Sequence, residues 1–133
     1  MSVLLDTHIW IGWLTPGSPL TRVERSALDA HAARRELYLP AISLWETQVL
    51  HAKRRLELPL PFAEWLARAA DEQMISVVPL DVEVVLALDA LPASFHGDPA
   101  DRLIVATARA HAMPLATHDA AIRRSRAVKL WKP

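Results

Sequence analysis

The sequence predicts an α/β fold built on a mostly parallel sheet. Three observations predict it. Short runs of branched aliphatics alternate with longer amphipathic segments, as strands joined by helical crossovers do. The first run, Val3-Leu4-Leu5, has no polar face, as a strand buried on both sides requires. That run stops at Asp6, and an amphipathic segment begins at Thr7. Ligands bind open parallel sheets at the carboxyl ends of the strands, so a carboxylate there either caps the following helix or does chemistry.

The elements follow in order. Thr7 to Leu14 reads as the first helix, and Thr15-Pro16-Gly17-Ser18-Pro19 as a loop. Thr21 and Glu24 form a capping box for a helix reaching about Arg35. Leu37 to Ile42 is a second strand, and Ser43-Leu44-Trp45-Glu46 reads as another capping box, opening a helix to about Arg55. Beyond the breakers Pro59 and Pro61, Phe62 to Gln73 places Phe62, Trp65, Leu66 and Ala69 on one helical face. Met74 to Leu80 is a third strand and Asp81 to Leu91 a short apolar helix. After the loop Phe95-His96-Gly97, Asp98 caps a helix with Pro99 in its first turn. That helix is apolar almost all round, which predicts deep burial. Pro114 to Thr117 is a fourth strand, Ala120 to Arg124 a helical turn, and Val128-Lys129-Leu130 a short fifth strand.

The 133 residues suit one domain, 1–133, and the 52% hydrophobic content supplies a core. The absence of cysteine excludes disulfides, thiolate catalysis and Cys-based zinc sites, and fits a reducing compartment. No apolar run is long enough to span a membrane, and Asp6 interrupts the N-terminal stretch too early for a signal peptide, so the expected location is cytoplasmic. Formal net charge is +0. Basic residues nevertheless cluster at Lys53-Arg54-Arg55 and from Arg123 to Lys132, where a solvated helix end and a soluble tail are the plain account. With only three glycines, the chain has no glycine-rich phosphate loop.

Asp6, Glu46, Asp101 and Asp119 each lie just past a strand or in the first turn of a helix. Right-handed crossovers put all such junctions on one edge of the sheet, so acids distant in sequence can meet there. Capping explains any one of them, and Asp81, which also follows a strand, is expected to be a cap only. As a set they point further. Crowded carboxylates resist ionisation unless a cation is present, and a hard divalent ion with oxygen ligands removes that cost.

The motifs carrying these acids resemble those of PIN-domain ribonucleases: Leu4-Leu5-Asp6-Thr7, Ile42-Ser43-Leu44-Trp45-Glu46, Asp98-Pro99-Ala100-Asp101-Arg102 with the apolar run to Ala108, and Ala116-Thr117-His118-Asp119, in family order. The near-bare domain resembles the toxin of a VapBC toxin–antitoxin pair. The resemblance implies a three-layer fold with sheet order 3-2-1-4-5, and Asp6 and Asp119 on either side of the topological switch point. It implies catalytic roles for Asp6, Glu46, Asp101 and Asp119, with Asp6, Asp101 and Asp119 holding metal and Thr7, Ser43 and Thr117 as polar neighbours. It also implies Mg²⁺ or Mn²⁺, an RNA substrate, a homodimer and a VapB-type antitoxin. Two acids stand in the third motif; Asp98 has the cap position, so chemistry is assigned to Asp101.

Other residues remain open at this level. His8, His96 and His118 flank the site without zinc-motif spacing and suit supporting or surface roles. Arg102 suits a phosphate contact or the helix surface equally. Trp10 and Trp65 are expected in the core; Trp13 and Trp45 either join them or line an exposed groove for an antitoxin. A dehalogenase-like phosphatase would need an acid where His8 stands. Two competing readings stay in view: a catalytically silent α/β binding module whose acids only cap helices, and a free-standing PIN nuclease without an antitoxin.

Overall fold

The computed structural model describes residues 1–95 and 97–133; the expectation for His96 lies outside the described residues. In chain order the elements are β1 (Val3–Leu5), α1 (Thr7–Trp13), α2 (Arg22–Ala33), β2 (Leu37–Pro40), α3 (Ala41–Ala52), α4 (Phe62–Ala69), β3 (Ser76–Val78), α5 (Val82–Asp89), α6 (Pro99–Ala110), β4 (Leu115–Ala116) and α7 (Ala120–Ser125). The strands form one parallel sheet in the order β3-β2-β1-β4. The expected order thus holds for four strands.

The fifth strand does not form. Val128–Leu130 contributes one parallel bridge, Leu130 to Leu115, held by Leu115 N–H to the Lys129 carbonyl and Trp131 N–H to the Leu115 carbonyl, both 2.9 Å. The neighbouring rungs are already used. The Met113 N–H donates to the Ala108 carbonyl, and the Thr117 carbonyl accepts from Arg123.

Alternation along β1 explains its unbroken hydrophobicity. Val3 and Leu5 face one layer with Trp10, Leu28, Leu39 and Trp65, whereas Leu4 faces the other with Ile104, Val105, Leu115 and Ile122. Trp10 and Trp65 are core residues as expected, with ring centroids 5.5 Å apart and the Trp10 indole N–H donating to the Ala69 carbonyl at 3.1 Å. Each large aliphatic so buried contributes about 1.5–3 kcal/mol.

Local chemistry shifts two boundaries and the burial of one helix. The helix expected from Ser43 opens at Ala41 instead. Pro40 pairs with Val78 in the sheet and then serves as N-cap at φ −66°, so Ser43 and Glu46 lie inside α3 and form no capping box. The helix expected to reach Gln73 stops at Ala69, because Asp71 builds its own turn, its side chain accepting from Gln73 N–H at 2.8 Å. On α6, burial runs through Ile104–Ala108 while Arg109 is exposed, so the helix is amphipathic, not enclosed all round.

The scarcity of glycine shows at helix ends. Among the described residues, four non-glycine residues take left-handed conformations: Arg35, Arg54, Ala112 and Arg126, with φ of 56°, 56°, 51° and 56°. A side chain there costs roughly 1–2 kcal/mol, offset by closing hydrogen bonds such as Arg55 N–H to the Leu50 carbonyl at 2.9 Å.

Candidate active site

Asp6 leaves β1 in extended conformation at the N-cap of α1, yet its side chain makes no capping bond. The carboxylate is 4% exposed, and its Oδ2 accepts from the Thr117 hydroxyl at 2.7 Å. Thr117 Oγ1 in turn accepts from Asp119 N–H at 3.0 Å. One hydroxyl therefore ties the exit of β4 to the exit of β1. On the far side of β1, the buried Thr7 hydroxyl donates to Ser43 Oγ at 2.7 Å, and Thr47 Oγ1 donates to the Ser43 carbonyl at 2.7 Å. This links α1 to α3 and fixes the turn of α3 that carries Glu46.

The acids divide by the work their oxygens do. Asp98 caps α6 through Asp101 N–H at 2.8 Å, Asp81 caps α5 through Val84 N–H at 3.0 Å, and Asp119 caps α7 through Ile122 N–H at 2.8 Å. Asp6 caps nothing, and Glu46, deep within α3, has a buried Oε1 with no hydrogen-bond partner. A buried carboxylate oxygen left without a donor is costly, and a bound cation would relieve that cost.

These groups stand near enough for their charges to act on one another. Burial, then Asp98, Asp119, Asp6 and Glu46 in turn, push the Asp101 carboxyl up to about 7. Burial also raises Asp6, against the Thr117 hydroxyl, His8 and the Thr7 N–H, which lower it, while Asp119 adds repulsion. Among the described residues no three His, Asp or Glu side chains stand gathered as a preformed metal cage. The donor set is nevertheless all carboxylate oxygen, with one oxygen orphaned, and that fits a hard divalent ion.

Several neighbours could not be read from the sequence. His118 bonds Glu24 at 2.7 Å, while Glu24 also completes the capping box of α2. The Thr21 N–H and then the His118 contact hold the Glu24 carboxyl below its ordinary value despite partial burial. Arg123, one helical turn after Asp119, reaches back to the Thr117 carbonyl at 3.0 Å. Gly97 leaves no room for a methyl group, which would come within 2.8 Å of Phe95 Cζ and 3.0 Å of Asp101 Cβ. The absence of a side chain there lets the loop pass close beside Asp101. Arg102 donates to the Phe95 carbonyl at 3.1 Å and so braces the same loop.

The two tryptophans part company. Trp13 is half-buried against the β1–α1–α4 core cluster, its indole N–H donating to Asp29 at 2.9 Å. Trp45 is 56% exposed and lines a groove of about 400 Å³ with Glu46, Lys53, Arg55 and Asp98. Trp13 is not among the residues lining that groove.

Fold and site together define a class: a parallel α/β sheet whose carboxyl edge carries a set of carboxylate donors. The chain belongs to the PIN domain family, whose profile matches residues 3–127. It is 37% identical over 133 residues to Ribonuclease VapC22 of Mycobacterium tuberculosis (strain ATCC 25618 / H37Rv), covering 98% of each chain. In fold it resembles VapBC2 from Rickettsia felis, solved bound to a DNA fragment from its promoter, with a TM-score of 0.74 and 17% identity over 98% of each chain. It also resembles FitAcB from Neisseria gonorrhoeae, with a TM-score of 0.72 and 23% identity over 98% of this chain and 97% of that one.

Proposed function

We propose that this chain is a divalent-metal-dependent endoribonuclease, the toxin of a VapBC-type pair, acting as one domain over 1–133. The observation that carries the chemistry is the freedom of Asp6, Glu46 and Asp101 from capping at an edge where their charges are felt together. The ribonuclease assignment is supported by the 37% identity to a protein named a ribonuclease.

Asp6, Asp101 and Asp119 would hold Mg²⁺ or Mn²⁺. When bound, such an ion neutralises the cluster, acidifies a water and stabilises charge on the phosphoryl oxygens. Thr117 orients Asp6 by donating to its Oδ2. Glu46, with its unpartnered Oε1, accepts the proton of the attacking water. Thr7 and Ser43 hold Glu46 in place through their hydroxyl contact. In-line attack leaves a 5′-phosphate and a 3′-hydroxyl.

A VapB-type antitoxin and cytoplasmic action belong to the same reading. Among the described residues no helix is long and apolar enough to cross a membrane. Val82, Val85 and Leu86 on α5 are exposed, as are Leu80 and Val77 beside them, and this is the apolar face a homodimer would bury.

RNA cleavage that stops in excess chelator and returns on adding Mg²⁺ or Mn²⁺ is the expected result, with loss of activity in Asp6→Asn and Asp101→Asn. Activity that survives the chelator, or a 2′,3′-cyclic phosphate product, would refute the mechanism.

A further inference from the structure

The groove beside Glu46 is built in a way the cleavage chemistry does not require. Trp45, Val49 and Lys53 fall four residues apart on one face of α3, so they form a stripe about 12 Å long by helical rise. Glu46 and Asp98 close the acidic end. At the other end α3 stops at Ala52, and Arg54 takes a left-handed conformation. That turn, closed by Arg55 N–H on the Leu50 carbonyl, reverses the chain so that Arg55 lines the groove together with Lys53. Trp45 is more than half exposed next to Glu46 at the acidic end, on a helix tied to α1 through Ser43.

We propose that this groove is a subsite for an unpaired RNA strand, with one base stacked on the Trp45 indole and the adjoining backbone phosphate held by Lys53 and Arg55. The inference rests on the nuclease reading and deepens it. An exposed aromatic on a rigid element is a stacking platform for any base whose face is free, and a duplex hides those faces. Cations at the mouth carry phosphate. Along the stripe the cations stand at one end and the aromatic beside Glu46 at the other, so a base on Trp45 lies next to the acid while the strand runs on toward Lys53 and Arg55. The charges argue against a protein tail as the intended occupant. A basic tail aimed at the acids would meet Lys53 and Arg55 at the entrance, whereas a polyanion is drawn in there.

Two measurements test this. Fluorescence anisotropy in an Asp101→Asn background, which removes turnover, gives the affinity for a labelled unstructured twelve-nucleotide RNA and for the same strand annealed to its complement. Steady-state cleavage of the unpaired RNA by otherwise unaltered protein gives kcat and KM. Trp45→Ala is expected to weaken unpaired binding at least fivefold and to raise KM with kcat kept, and Trp45→Phe to recover most of the loss. Lys53→Gln with Arg55→Gln should reduce the salt slope of log affinity by about 0.7 for each phosphate the groove no longer neutralises. Unchanged affinity and KM in Trp45→Ala would overturn the subsite, as would duplex bound as tightly as single strand. Loss of a co-expressed antitoxin from Trp45→Ala, with RNA affinity unchanged, would overturn it in favour of a protein-binding groove. Failure of the unaltered protein to cleave any RNA with metal present would refute the nuclease reading instead, and the anisotropy result would still decide the subsite.

Discussion

Replacing Asp101 by Asn should stabilise the metal-free protein at pH 8 and do little at low pH. In the folded chain Asp101 titrates at about 7, against an ordinary value of 3.8. The folded state therefore holds a proton that the unfolded state releases, so this carboxyl costs nothing below about pH 4. Its cost then grows as pH rises and levels off above 7. Taken at face value the difference amounts to about 4 kcal/mol at pH 8. The side chain is only half-buried, and water on its open side screens the repulsion, leaving about 1–2 kcal/mol. For a chain of this size that is a rise in Tm of roughly 3–8 °C. Calorimetric melts of both proteins in EDTA, at pH 4 and pH 8, read it directly. Added Mg²⁺ should reverse the ranking at pH 8, because only the aspartate gains a cation. An Asp101→Asn protein that melts no higher than the parent in EDTA at pH 8, or a difference that does not depend on pH, would refute the electrostatic account of the site.

Asp98→Asn should keep nuclease activity, because Asn caps α6 nearly as well through Asp101 N–H. It should also move the acid limb of the pH–rate profile to lower pH, since Asp98 is the largest charge raising Asp101. Gly97→Ala should lower activity while the far-UV spectrum stays unchanged, because the added methyl has to displace Phe95 or Asp101; wild-type kcat/KM in that variant would show the loop yields without moving the acid. Arg25→Ala should cost about 2–3 kcal/mol in urea unfolding with an unchanged m-value. Its guanidinium closes the end of α1 by donating to the Gly12, Trp13 and Thr15 carbonyls and to Ser18 Oγ.

Much of the fold was legible because its signals are local. Val3–Leu5 has to be enclosed on both sides, Thr21 and Glu24 cap reciprocally as their spacing says, and Asp98 with Pro99 opens α6. What escaped depends on neighbours distant in sequence. Val128–Leu130 has the composition of a strand, but whether it pairs was decided by Ala108 and Arg123, which had already taken the rungs it needed. The link from Glu24 to His118 joins α2 to the far end of the chain, and no periodicity records it.

The acids show the same division more sharply. By sequence, Ser43 and Glu46 fit a capping box as well as Thr21 and Glu24 do, so capping and chemistry could not be separated there. The difference is Pro40. It ends β2 within the sheet and lets α3 begin at Ala41, which carries Glu46 past the first turn, where no free backbone N–H remains for its carboxylate. Asp6 follows the same logic from the other side. It holds the N-cap position but gives its oxygen to Thr117, across the sheet, and not to its own helix. Asp81, with identical local credentials, spends its carboxylate on Val84 N–H. A helix that leaves its cap unused forgoes about 1 kcal/mol. The β1–α1 junction forgoes it at Asp6 and the β2–α3 junction forgoes it at Pro40, and the charges of Asp6 and Glu46 both reach Asp101. Fold stability does not benefit from that arrangement, whereas the cation site proposed here would.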